Sequence, residues 1–150
     1  VTADECSGLQ GWVIKRVGGF AIDVRRPAIA TLRHGVELLR DRQTLVIFPE
    51  GDIFRDKKVH PLKPGLARLA LQAEQSTPNL GVNVLPIYLD YDKPRPSFGS
   101  QVEVRIGSPL AVSDYASSGS AKQQATRLST DLKLSLDALA GVEQPLELAV

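Results

Sequence analysis

The sequence predicts an α/β fold with a mixed, largely parallel sheet flanked by helices. Three observations predict it. Apolar residues recur at helical spacing in three separate stretches of the chain. Short β-branched and apolar runs lie between those stretches. The two kinds of segment alternate along 150 residues, a length that suits one domain and one sizeable core.

Taken in order, residues 9–17 (LQGWVIKRV) are mostly apolar with two basic residues and are expected as a short helix that Gly18-Gly19 breaks. Residues 20–24 read as a short strand ended by Arg25-Arg26-Pro27, and Pro27 suits the first turn of a following helix. Over residues 28–42, Ile29, Leu32, Val36 and Leu39 recur at spacings of three and four, one stripe of an amphipathic helix. Residues 44–48 (TLVIF) form a continuous apolar run, as expected of a strand buried on both faces. Pro49 stops it, and residues 49–63 make a charge-rich loop. Pro64-Gly65 opens a second helix with Leu66, Leu69, Ala70 and Ala73 inward, and residues 76–81 turn the chain. Residues 82–91 read as a strand interrupted by Pro86. Residues 101–106 alternate, with Val102, Val104 and Ile106 on one face. Residues 113–120 are expected as a polar loop, and residues 121–140 as a helix with Leu128, Leu132 and Leu139 on one face. The tail over residues 141–150 is expected to be loosely held.

Composition narrows the function classes. Hydrophobic residues make up 43% and charged residues 23% of the chain, ordinary values for a folded domain. Eighteen basic against 17 acidic side chains give a net charge of +1, so no nucleic-acid partner is implied. Cys6 is the only cysteine, which excludes an internal disulfide or a four-cysteine zinc site and fits a reducing, cytoplasmic setting. No run approaches the ~20 apolar residues that span a bilayer, so membrane contact is expected to be peripheral at most; Trp12 and its basic neighbours form only a small apolar-basic segment, and a packing role is the commoner one for such a tryptophan. The start has no signal-peptide pattern and no initiator methionine, and the chain is expected to begin inside a longer one.

In α/β sheets ligands sit beyond the carboxyl ends of strands. Two polar segments fall there, residues 23–26 and residues 50–55. In Phe48-Pro49-Glu50-Gly51 an apolar run delivers a carboxylate onto a turn shaped by proline and glycine. Alone, this is equally a strand end with a solvated glutamate. Arg25, Arg26 and Arg55 offer planar forks suited to phosphate oxygens, and Glu50 can accept a hydrogen bond from a hydroxyl. The plainer alternative makes the arginines surface charges. Glu50, Asp52, Asp56 and His60 are oxygen and nitrogen donors in one loop, but neither an EF-hand nor a His-Glu-x-x-His spacing supports a site, so no metal is expected. Gly18-Gly19 precedes its strand and is not a dinucleotide fingerprint.

The stretch IFPEGDIFRDKKVHPLKPGLARLA resembles the third sequence block of the lysophosphatidic acid acyltransferase family: FPEG, a basic loop, then Lys-x-Gly opening a helix, filled here by Arg55, Lys57, Lys58, Lys63 and Gly65. Residues 18–26 (GGFAIDVRR) are similar to the second block, and residues 84–88 (VLPIY) to the fourth. The three blocks stand in the family's order over roughly residues 18–107. Asp52-Ile53 departs from the usual Thr-Arg after FPEG, and Arg55 matches only the second basic position. The family's first block, Asn-His-x-x-x-x-Asp, is absent: His34 is followed five residues on by Leu39, and His60 by Gly65. By the family's spacing it would fall before Val1.

The resemblance implies a glycerolipid acyltransferase-like fold over a single domain, residues 1–150. It implies transfer of a fatty acyl group from an acyl-CoA or acyl carrier protein thioester to a glycerophosphate or lysophospholipid acceptor in phospholipid synthesis. Arg25, Arg26, Glu50, Gly51 and Arg55 would bind the acceptor, and Pro86 would shape the wall on the acyl-donor side. No cofactor beyond the acyl donor is implied. Without its histidine and aspartate this chain is expected not to turn over by itself. The alternative is a non-catalytic domain that binds an anionic lipid or phosphate metabolite. A metal-dependent hydrolase would need a metal in the residue 50–60 loop.

Overall fold

In a computed structural model of the chain, the structure describes Trp12, Arg16 and residues 29–52, 54, 56–77, 79–95, 97–117 and 119–141. The predicted strand at residues 20–24 lies outside the described residues, as do Arg25, Arg26, Arg55 and the tail beyond Gly141. Of the predicted helix at residues 9–17, Trp12 and Arg16 are described; both are helical, and the Arg16 guanidinium sits 5.7 Å from the centre of the Trp12 ring.

Helix α1 (Ile29–Arg40) follows the predicted stripe: Val36 is buried and Leu32 and Leu39 are partly buried. Helix α2 (Gly65–Ser76) buries more than the expected face. Leu69, Ala70 and Ala73 are joined inside by Ala67 and Leu71. Three alanines on this helix allow neighbours to approach closely. Gly35 of α1 completes the fit, because a Cβ there would stand 2.4 Å from Leu69 Cδ1.

Strands are where the structure departs most from the sequence reading. Pro86 splits residues 82–91 into β1 (Asn83–Val84) and β2 (Ile87–Tyr91), and the two halves take different partners. Strand β2 pairs antiparallel with β3 (Val102–Ile106), and β1 pairs antiparallel with β4 (Leu110–Ala111). A largely parallel sheet is therefore not found among the described residues. The physical reason is connection length. Residues 92–101 turn the chain straight back, whereas a parallel return needs a crossover of a dozen residues or more. Residues 44–48 are extended but join no ladder among the described residues. Nor are they buried on both faces: Leu45 and Ile47 pack on the α1–α2 core, while Val46 and Phe48 are 78% and 73% exposed.

The β2–β3 hairpin is turned unexpectedly. Its register pairs Ile87 with Ile106, Leu89 with Val104 and Tyr91 with Val102 on one face. Five of those six side chains are 40–62% exposed, and Leu89 is half-buried. The other face carries Tyr88, Asp90, Glu103 and Arg105. It turns inward, where Tyr88 packs on the core and Arg105 Nη1 donates to the Leu139 carbonyl at 2.9 Å. Val102, Val104 and Ile106 share a face as predicted, but it is not the core face.

Residues 113–120 are not all loop. Ser113–Ala116 form a single helical turn, α3, which buries Tyr115. Helix α4 (Ala121–Ala140) has the predicted bounds, though Leu136 and not Leu139 is the third buried leucine, and it begins with a capping box between Ser120 and Gln123. Leu128, Leu132 and Leu136 enter the larger core beside Val112, Val84 and Ala67, and Gly141 ends the helix in the left-handed region at φ 77°. No helix among the described residues is long and apolar enough to cross a membrane.

Two predictions follow from this packing. Gly35→Val drives a branched side chain into Leu69, so thermal or urea unfolding should show a loss of about 1–3 kcal/mol, the usual range for overpacking. Combining it with Leu69→Ala should give a loss smaller than the sum of the two single changes, because the clash partner is gone. The second concerns Tyr115, whose hydroxyl donates to Asp131 Oδ2 at 2.8 Å. Burial first, and that bond second, raise its pKa from 10.0 to about 12. The fold thus favours the protonated phenol. Its contribution is complete below pH ~10 and lost as pH rises towards ~12. Urea midpoints measured over that interval should fall with pH, and less steeply in Tyr115→Phe. Identical slopes would defeat the assignment.

Candidate functional site

The Glu50 turn is built from backbone constraints. Pro49 fixes its own φ after the extended segment. Gly51 then adopts φ +65°, and its N–H donates to the Phe48 carbonyl at 3.2 Å. A side chain at 51 would be strained by that φ, and its Cβ would also meet Lys63 Cδ at 2.6 Å. Lys63 holds the turn from the other side. Its N–H donates to the Pro49 carbonyl at 2.8 Å, and its Nζ donates to the Gly51 carbonyl at 2.9 Å.

Glu50 is half-buried, and its Oε1 accepts from the His60 backbone N–H at 2.9 Å. Among the described residues Oε2 has no hydrogen-bond partner. One carboxylate oxygen is thus fixed by the loop, and the other remains able to accept from a bound hydroxyl.

The loop between Glu50 and His60 is folded on itself. The Phe54 and His60 rings stack with centres 3.6 Å apart and planes 13° apart. His60 Nε2 lies 2.7 Å from Asp56 Oδ1. That hydrogen bond, foremost, holds the Asp56 carboxyl below the ordinary carboxylate range. One imidazole nitrogen is therefore engaged, and no group of three His, Cys, Asp or Glu side chains that could hold a metal ion gathers among the described residues. His60 serves the site through its backbone, a role that its side-chain type does not advertise.

The same loop is tied to the hairpin. Tyr88 Oη donates to the Lys57 carbonyl at 3.0 Å. Lys57 Nζ stands 2.6 Å from Asp90 Oδ1, out of hydrogen-bond geometry, so the contact is an ion pair. Arg105 Nη2 reaches Asp90 Oδ2 at 3.1 Å and Glu103 Oε2 at 2.9 Å. Lys57 pulls the Asp90 carboxyl below its ordinary value, and Arg105 does the same to Glu103. Lys57 itself is raised, chiefly by Asp90.

Of the residues proposed from sequence, Glu50 and Gly51 thus form one structured turn. Pro86 is fully buried between β1 and β2, and its carbonyl accepts from the Gly107 N–H at 2.9 Å. Lys63 entered the sequence reading as part of a family pattern; the structure gives it a mechanical task as the clamp on Gly51. His34 is exposed on α1.

Comparison with known proteins bears on the family to which this chain belongs. An acyltransferase family model matches residues 3–90, a span that includes the Glu50 turn and its Lys63 clamp. An uncharacterized acyltransferase of Schizosaccharomyces pombe is 31% identical over 99 residues, covering 65% of this chain. The chain spans only 14% of the length of that relative. No solved structure matches it. The chain belongs to the acyltransferase family.

Glu50→Ala removes the acceptor of the His60 N–H and should destabilise by about 1–3 kcal/mol, the range for an orphaned, partly buried donor. Glu50→Gln keeps an oxygen in place and should lose less. Hydrogen exchange at the His60 amide checks this directly: it should quicken in the alanine variant and stay near the wild-type rate in the glutamine variant.

Proposed function

We propose that this domain works in the transfer of a fatty acyl group from an acyl-CoA or acyl carrier protein thioester to the hydroxyl of a glycerophosphate-like acceptor, as in phospholipid synthesis. The observation that carries the reading is the Glu50 carboxylate, fixed through Oε1 by His60 and open at Oε2, on a turn that the acyltransferase match includes. In this reading Glu50 Oε2 orients an acceptor hydroxyl. Arg25, Arg26 and Arg55 hold its phosphate through charge-assisted bonds. Gly51 lets the backbone approach the acceptor closely, and buried Pro86 keeps the strand that lines the donor side in shape. A general base takes the hydroxyl proton, the oxygen attacks the thioester carbonyl, and the thiolate leaves. The family's Asn-His-x-x-x-x-Asp pattern would supply that base, and neither His34 nor His60 fits it. The domain therefore supplies acceptor binding, with peripheral membrane contact on the cytoplasmic side and no cofactor besides the acyl donor.

The test joins activity and binding. Without the base, the 150-residue chain should turn over acyl-CoA and glycerol 3-phosphate at least ~10²-fold more slowly than a family member carrying the motif. In a form that carries the motif, Arg25→Ala, Arg26→Ala or Arg55→Ala should each weaken glycerol 3-phosphate about 10- to 150-fold, from the ~1.5–3 kcal/mol of a charge-assisted bond. Calorimetric titration reads the affinity. Equal affinity in all three variants would place the phosphate elsewhere. Tight phosphate binding without turnover in the motif-bearing form would favour a binding domain instead.

A further inference from the structure

We propose that the outer face of the β2–β3 hairpin, with Phe98 at its tip and Lys93 and Arg95 beside it, docks on a membrane surface bearing anionic phospholipid headgroups. The proposal deepens the acyl-transfer reading by naming how an amphiphilic acceptor is met, and in that respect it rests on that reading.

The face is apolar by register. Three cross-strand pairs, Ile87 with Ile106, Leu89 with Val104 and Tyr91 with Val102, place six apolar side chains side by side. Ile106 is 62% exposed and Val104 53%. Folded monomers rarely leave contiguous apolar patches beyond a few hundred Å² exposed, and larger ones mark interaction sites. The ladder pairs the backbone groups that the two strands turn towards each other, and the outward-turned groups stay hydrated when the face rests at the headgroup boundary instead of entering the hydrocarbon.

The tip decides which partner fits. Residues 92–101 join the strands, and Phe98 there is 108% exposed, touching nothing that shields it. Gly99, at φ +82°, turns the chain beside it, and the Ser97 N–H bonds to Ser100 Oγ at 2.9 Å, so the tip is a formed turn. Lys93 and Arg95 are exposed and make no ion pair among the described residues. The acids nearest in sequence are mostly engaged on the opposite face: Asp90 with Lys57 and Arg105, and Glu103 with Arg105. Asp92 is the one carboxylate within the tip itself. A projecting aromatic ring with free cations beside it, continuous with an apolar strip, matches a bilayer interface: the ring enters the acyl boundary and the cations meet phosphates. Because Lys57 and Tyr88 tie the Glu50 loop to β2, docking of the hairpin also holds that loop close to the surface.

The test is flotation of the 150-residue chain with vesicles of phosphatidylcholine alone and of phosphatidylcholine mixed with phosphatidic acid, with no acyl donor present. Binding is expected to the mixed vesicles and to weaken with salt. Lys93→Gln with Arg95→Gln should lower partitioning ~25-fold, taking about a factor of five per cation. Phe98→Ala should lower it at least ~10-fold. All these positions are exposed, and circular dichroism verifies that the variants stay folded. Wild-type protein that stays off the mixed vesicles, or variants that bind as well as wild type, would overturn the proposal. So would a dimer in solution that Val104→Asp dissolves, which would assign the face to a second copy. Loss of acyl transfer with vesicle binding intact would count against the enzymatic reading and leave this surface standing.

Discussion

Helix α2 has to serve two cores at once, and the remaining elements arrange themselves around that demand. Ala67, Ala70 and Leu71 face the larger core with α4, β1 and Val112. Leu69 and Ala73 face the smaller one with α1 and the extended residues 44–48. A helix wrapped this far needs small residues where neighbours come closest. Ala67, Ala70 and Ala73 are at most 3% exposed, and Gly35 supplies the matching gap on α1. Interiors packed to crystal density leave little room for larger groups at these places.

That constraint reaches the candidate site through the segment just before the helix. Lys63 stands just before α2 begins, so the position of the helix fixes the clamp that holds Pro49 and Gly51. His60, three residues earlier, presents its N–H to Glu50. The carboxylate is therefore aimed by two points on one short segment, and the segment is aimed by a helix locked between two cores. Acceptor chemistry on Glu50 would benefit from such a mount, since orientation of reacting groups is worth several kcal/mol of a barrier.

How far this was legible in the sequence differs by element. The three long helices announced themselves through period, whereas the Ser120–Gln123 capping box came to light only in the structure. Strand environment was harder. An unbroken apolar run such as residues 44–48 looks the same whether both faces are covered or one is bare, because periodicity vanishes when every residue is apolar. The alternation in residues 102–106 told which residues share a face but not which way that face points; ion pairs to residues far along the chain settled it. Tyr115 was hidden in a polar stretch, where a single buried aromatic leaves no periodic trace. At the site, the proline and glycine around Glu50 were visible and meaningful. The His60 backbone donor was not, since every residue other than proline carries one. Arg25, Arg26 and Arg55 fall outside the described residues, so their place in the site remains a proposal.

The inverted hairpin sets up a conflict between local and global preferences. Elsewhere, sliding one strand by a residue moves apolar side chains from core to solvent and is penalised at once. Here, turning the hairpin over would press Ile87, Val104 and Ile106 against α4 and free the charges into water, so burial alone argues for the wrong arrangement. What opposes it is the set formed by Asp90, Arg105 and Lys57, the Tyr88 hydroxyl on the Lys57 carbonyl, and Arg105 on the end of α4. This is a locally frustrated element in the landscape sense, in which two compact states compete and polar geometry chooses between them. The side of the hairpin that meets the core is thus chosen by charge and hydrogen-bond geometry, a choice that dissolved salt weakens where the pairs are exposed.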